Sequence, residues 1–457
     1  MANLHARWLQ GTIASLCVLL ASVVGFQSAA IADETCMSPY MAKIVGQEDY
    51  VYIWTLGKEG VGDGSDKLVT VAVNPESPHY GKVVNSLSVG GRNEAHHSGL
   101  TDDRRYLFAG GLDTNKIFIF DVHTHPNKPS LHKVITDFVE KTGGMVGPHT
   151  MYALPGRIMV SALSNNKDHG GRTGLAEFTN EGEFVAAHWM PTDEDMRGAQ
   201  KVGNIADGYG YDVRVLPRRN VMVTSSFTGW SNYMMDFGKM LGDAEAMKRF
   251  GNTVVVWDLH TRMPKKVFEV PGAPLELRCA WGANNNYCFT TTALTSQIWL
   301  IHEDDAGEWH AQSVGAIGDP SQVPLPVDIS ITADDKGLWV QTFMDGKTRY
   351  FDISDPFNPK QTYEHQVGSQ VNMISQSWDG KRAYFTSSLL GNWDKTGDQD
   401  EQFFKLFEWD GEKLVHKFTV DFYAENLGRP HQMRFGAYSL YSQKPNSEGT
   451  MLSQRVE

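Results

Sequence analysis

Cysteine is scarce in this chain: four occur in 457 residues, at Cys17, Cys36, Cys279 and Cys288. No Cys-x-x-Cys pair exists, so thioredoxin-type redox chemistry and a zinc ribbon both lack the residues they need. Positive charge is also short. There are 41 Lys and Arg against 54 Asp and Glu, a formal net charge of −13, with no basic stripe. That balance excludes nucleic acid as a partner. Amphipathic helical pattern is nearly missing, the exception being "NYMMDFGKMLGDAEAMKRF" from Asn232 to Phe250, which reads as an inserted helix.

Charge is almost absent from the first 32 residues, where Arg7 is the one formally charged side chain. The apolar run "WLQGTIASLCVLLASVVGF" is followed by Ala30-Ile31-Ala32, a small-x-small cleavage pattern. Residues 1–32 are therefore expected to be a signal peptide, leaving 33–457 as a single domain with no stable membrane insertion. The rival reading is an uncleaved anchor, since the run is nearly long enough to span a bilayer. No twin-arginine pair precedes the run and no lipobox precedes Cys36. General secretion to the periplasm is the expected route. Of the three remaining cysteines, Cys279 and Cys288 flank a Gly/Asn-rich turn, where a disulfide and two buried thiols are both open readings.

What the chain does contain is glycine and aromatics: 44 Gly, 16 Tyr and 12 Trp. These suit short strands joined by tight turns. A unit of short apolar strands recurs, as in "DDRRYLFAGGLDTNKIFIFDV", "NNNYCFTTTALTSQIWLIHE" and "DDKGLWVQTFMDGKTRYFDIS". Seven such units, spaced at roughly 45 to 65 residues, predict an all-β, seven-bladed β-propeller with a small helical insertion. The final segment, near His431, is expected to return to the blade begun near Tyr50 and close the ring.

The leading strand of each blade lines the central channel. The segments that open these strands are "AHHSG", "GPHTM", "GYDVR", "PLELR", "PVDIS", "QVNMI" and "RPHQM". Aligned, they bring His97, His149, Asp212, Glu276, Asp328, Asn372 and His431 to one mouth of the channel. His431, His97 and His149 then fall on three consecutive blades. Three neutral imidazoles on rigid strands suit zinc, copper, iron or nickel. Strict alternation lets only one of His96 and His97 face the channel. This register selects His97 and leaves His96 as a loop ligand or as a neighbour that steadies the site. A carboxylate beside a metal is a natural proton acceptor, and Asp212 and Glu276 are the candidates.

The segments "EAHHSG", "GPHT", "YDVRVLPRRNVMVTS", "DISDPFNPK", "DGKRAYFTSSLLGNWD" and "RPHQMRF" resemble the selenium-binding protein family, in order, from about Tyr50 to Phe435. That family includes copper-dependent methanethiol oxidases. The resemblance implies a seven-bladed propeller with copper as cofactor. It also implies a small thiol and O2 as substrates, with formaldehyde, hydrogen sulfide and hydrogen peroxide as products. Carried over by motif, the metal ligands are His96, His97, His149 and His431. There are two departures from the animal members. The first-blade strand "YVYIWTLGKEG" has no cysteine, so selenium binding there is unsupported. The animal histidine after the His-Thr pair is also missing, with Met151, Tyr152 and Ala153 in its place. A non-catalytic metal- or ligand-binding scaffold is the alternative function, and a calcium-dependent propeller lactonase is a third. A copper-loading helper protein and a homo-oligomer are compatible with the sequence, which specifies neither.

Overall fold

The computed structural model describes residues 34–44, 47–165, 173–192 and 205–436. The expected signal peptide lies outside them. Among the described residues, no helix is long and apolar enough to cross a membrane.

Seven four-stranded antiparallel sheets make the seven blades. In blade 1 the C-terminal strand Arg429–Phe435 pairs with Tyr50–Leu56, followed by Lys67–Ala72 and Lys82–Ser88. The ring is thus closed by the segment expected to close it. Blades 2 to 7 run in chain order and start with the inner strands Ala95–Leu100, Met145–Leu154, Val213–Leu216, Pro274–Cys279, Pro326–Ile331 and Ile374–Gln376.

Within a blade, burial falls from the axis outward, and composition follows it. Inner and second strands such as "AHHSGL" and "YLFAGG" are buried at every position. Outermost strands such as "KQTYEHQ" carry charged and polar side chains on an exposed rim. A strand buried on both faces needs no polar alternation, whereas a rim strand does. The outermost pairing of every blade also slips by one residue at a β-bulge. Bulges raise local twist, which suits wedge-shaped blades.

Apolar side chains fill the wedges between blades. Trp54 of blade 1 packs on Phe118 and Phe120 of blade 2, and its indole N–H donates to the Gly110 carbonyl at 2.8 Å. Burying such a side chain contributes about 1.5–3 kcal/mol. Cys279 and Cys288 are direct cross-strand partners in blade 5 and are disulfide-bonded, which decides between the two readings of the pair.

The expected single helix of the insertion is instead three short ones, Trp230–Tyr233, Phe237–Leu241 and Ala244–Met247. The sequence itself breaks it up. The Asp236 carboxylate caps the Lys239 amide at 3.0 Å, and Asp243 caps those of Glu245 and Ala246, so each aspartate starts a new helix. A bridge between Thr228 and Phe250 closes the insertion at its base.

Candidate metal centre

The centre is built on a repeated irregularity. In blade 2, Ala95 faces Gly111 and Ser98 faces Ala109, so three steps on the inner strand match two on its neighbour. The same mismatch runs from Pro148 to Met151, from Pro274 to Leu277 and from Pro430 to Met433. Each inner strand therefore carries a two-residue bulge: His96-His97, His149-Thr150, Leu275-Glu276 and His431-Gln432. Proline supplies no ladder N–H and is tolerated beside bulges, which suits Pro148, Pro274 and Pro430 just ahead of them.

A bulge breaks strict alternation, so both His96 and His97 turn toward the axis. The register also differs from the one expected. His96, not His97, is the counterpart of His149 and His431, while His97 matches Thr150, Glu276 and Gln432. The offset from proline, or from Ala95 in blade 2, carries that information in the sequence. Backbone hydrogen bonds place Tyr211 and Asn372 with the first set, and Asp212 and Met373 with the second. Asp328, two residues after Pro326, falls in the second set. The seven expected positions thus form two stacked layers rather than one ring.

Four imidazoles meet where the layers touch. Ring centroids are 3.7 Å apart for His96 and His431, 3.8 Å for His97 and His149, and 4.9 Å for His96 and His97. One ring nitrogen each of His96, His97 and His149 lies within 4.8 Å of the others. All four side chains are buried, and each keeps one nitrogen without a hydrogen-bond partner: Nδ1 of His96 and Nε2 of His97, His149 and His431. Nδ1–H of His149 donates to the Tyr211 carbonyl at 3.0 Å, and that of His431 to the Ser388 carbonyl at 2.8 Å. A carbonyl only accepts, so these bonds set the tautomer and leave each Nε2 with its lone pair free. Burial pushes His149 and His431 down to about 3 and His96 and His97 well below the usual range, with crowding among the imidazoles adding to it at His96, His97 and His431. The cluster is neutral, as metal ligation requires.

Beneath the histidines lies a charged layer. Arg214 pairs with Asp212 and, at 3.4 Å, with Glu276. Arg278 reaches Glu276 at 2.8 Å, Asp328 at 2.8 Å and Asp212 at 3.3 Å. Both oxygens of Asp212 are occupied, Oδ1 by Thr150, the Val213 amide and Arg214, and Oδ2 by the Leu277 amide and Arg278. Burial pushes Asp212 up to about 7 against the pull of Arg214. Glu276 differs: its Oε2 takes the arginines, while Oε1 has no hydrogen-bond partner and lies 3.4 Å from Nε2 of His97. On the far side, the segment Glu34–Met41 packs into the channel end, with Thr35 bonded to Ser330 and Gln376. On the near side, His96, Tyr211, Leu275 and Val327 face a small apolar cavity, with room for about one water molecule as it stands.

Residues 30–439 match the family described as 56kDa selenium binding protein (SBP56). The chain belongs to this family. A methanethiol oxidase of Ruegeria pomeroyi is 65% identical over 423 residues, covering 92% of this chain and 97% of that one. A methanethiol oxidase of Hyphomicrobium is 59% identical over 407 residues, 89% of this chain and 91% of its own length. The bovine methanethiol oxidase stands at 28% over 463 residues, 87% of this chain and 95% of its own length. Among solved structures, a hypothetical selenium-binding protein from Sulfolobus tokodaii superposes with a TM-score of 0.71 at 27% identity, covering 85% and 93% of the two chains. A putative 6-phosphogluconolactonase from Bacteroides uniformis gives 0.58 at 10% identity, covering 85% and 100%, and shares the fold alone.

In this chain, then, ring nitrogens of His96, His97 and His149 come together, and the His431 ring stacks on that of His96. Glu276 adjoins them with a free oxygen, and Asp212 adjoins them with none. Asp328 is committed to Arg278 and to the amides of Ile329 and Ile374, and so ties blade 6 to blade 7. Asn372 donates to the Ser388 carbonyl that also receives His431. Arg214 and Arg278 are absent from the expected set, yet each stands two residues after its carboxylate, in "DVR" and "ELR". That spacing puts acid and base on one face of a strand.

Proposed function

We propose that this protein is a periplasmic, copper-dependent methanethiol oxidase. One molecule each of methanethiol, O2 and water gives one each of formaldehyde, hydrogen sulfide and hydrogen peroxide. The observation that carries the reading is the set of four buried, neutral imidazoles, each with an unpartnered nitrogen, set against an apolar cavity. Such a donor set fits copper, which accepts imidazole in both oxidation states and favours thiolate as copper(I). Its two bacterial relatives named methanethiol oxidase support the substrate, and the signal-like residues 1–32 support the periplasm. Copper, when bound, supplies the one-electron chemistry that links thiol oxidation to reduction of O2.

The protein's own groups do the rest. His149 and His431 are oriented by the carbonyls of Tyr211 and Ser388, and with His96 and His97 they would hold the metal. Leu275, Val327 and the aromatic walls of the cavity take the methyl group and exclude bulk water. Glu276 Oε1, which adjoins Nε2 of His97, is the proton acceptor nearest the metal position. Arg214 and Arg278 hold its other oxygen and fix the carboxylate in place.

A calcium-dependent lactonase would need several free oxygens around the channel. Those of Asp212 and Asp328 are taken by arginines and amides, so that reading has little support. A non-catalytic scaffold is separated by experiment. Purified protein is expected to carry stoichiometric copper and to consume oxygen when methanethiol is added, and His149→Ala is expected to lose both. Copper without oxygen uptake would make it a scaffold.

A further inference from the structure

The helical insertion lies between the second and third strands of blade 4, and it crosses the channel mouth to blade 7. Trp393, in the blade 7 loop, stacks on Tyr233 with ring centroids 6.0 Å apart and planes inclined by 5°. The Trp393 indole N–H donates to the Met235 carbonyl at 3.2 Å, and Asn392 donates to the Tyr233 carbonyl at 3.4 Å. Insertion and loop together roof the cavity above His96. Phe227, Leu389, Leu390 and Leu275 also line it.

In this apolar roof Tyr233 is anomalous. It is 4% exposed, and its hydroxyl has no hydrogen-bond partner. Its ring is fixed by Trp393, by Phe227 at 6.0 Å and by Trp230 at 5.9 Å. Burial alone raises its pKa well above the ordinary phenol, so it stays protonated and can donate. A buried hydroxyl without a partner is costly, and phenylalanine would pack the same ring without that cost. Tyr233 lines the cavity opposite His96.

We propose that Tyr233 is a substrate-recognition residue whose hydroxyl donates a hydrogen bond to the sulfur of a short-chain thiol lodged between it and His96. The alkyl group lies against Leu275, Leu389 and Leu390. The inference rests on the thiol oxidase reading and adds to it the group that distinguishes a sulfur ligand from a hydrocarbon of equal size.

The test is Tyr233→Phe in the full-length, copper-loaded protein. With the substrate bound as its thiolate, a hydrogen bond to that charged sulfur corresponds to roughly 10- to 100-fold in affinity. The KM for methanethiol is expected to rise by that factor, with kcat within about threefold, the KM for O2 unchanged, and copper content and the resting spectrum as in the wild type. The variant is expected to melt no lower than the wild type, since it loses an unpaired hydroxyl. A KM for methanethiol within about twofold of wild type overturns the proposal. So does a rise in the KM for O2 alone, or a loss of copper or melting temperature. Stabilisation of the metal-free protein by methanethiol is the second readout, and it needs no turnover. If the wild type binds the thiol without oxidising it, the oxidase reading fails while a weaker response in Tyr233→Phe still supports the recognition role. Equal responses, or none in the wild type, overturn that role.

Discussion

Replacing Glu276 by Gln removes a charge and a proton acceptor while leaving the shape of the side chain. Breaking an isolated buried ion pair costs about 3–5 kcal/mol because a charge is stranded. Here no charge is stranded. Arg214 keeps Asp212, and Arg278 keeps Asp328 at 2.8 Å and Asp212 at 3.3 Å. What goes is one close charged hydrogen bond, from Arg278 to Glu276 Oε2 at 2.8 Å, so a loss of about 2 kcal/mol in urea denaturation is expected. The effect on turnover is larger. A positioned general base contributes about 10²- to 10⁴-fold, equivalent to about 3–5 kcal/mol in the barrier. Glu276→Gln should therefore retain full copper and lose at least 100-fold in kcat, read by metal analysis and an oxygen electrode. A kcat within about threefold of wild type at full copper content would refute Glu276 as the base. Loss of copper would refute it differently, by making the carboxylate a metal ligand.

Two further outcomes follow from the same geometry. Gly99 lies where blades 2 and 3 touch, and a β-carbon there would overlap the Met151 carbonyl. Gly99→Ala should cost about 1–3 kcal/mol in urea denaturation and lower copper content by displacing His97 from His149. Acid sensitivity comes from the buried histidines. His431 titrates near 6.5 when unfolded and is held at about 3 when folded, so between these values the unfolded chain binds more protons. Its contribution is therefore complete above about pH 6.5 and is lost as pH falls toward 3, at about 1.4 kcal/mol per unit. His431→Gln lacks this loss. In metal-free protein, the stability of the variant relative to wild type should rise by that slope below pH 6.5. A difference independent of pH would contradict the neutral cluster.

Much of the ring is legible in the chain. Aromatic-rich short strands between turns specify seven blades, and the "RPHQMRF" segment closes the first as its place in the repeat implies. The four histidines stand out by motif alone. Three features resist. The insertion pattern of Asn232–Phe250 hides two helix restarts at Asp236 and Asp243. The Cys279–Cys288 spacing is consistent with bonded and free thiols alike. The pair His96-His97 is sorted by alternation, which a bulge suspends.

The limits have one physical origin. Alternation of period two and turn chemistry are local, so the sequence alone determines that strands form and how they group into blades. Register is different. One extra residue in a strand reverses which side chains face the axis, and the reversal is held by ladder partners and proline-flanked bulges in several blades at once. It takes the folded ring to place His96 beside His149 and His431, to stack Glu276 under His97, and to leave one oxygen of Glu276 free while occupying both of Asp212. Desolvation, which keeps the imidazoles neutral, comes from neighbours hundreds of residues apart in the chain and exists only once the ring has closed.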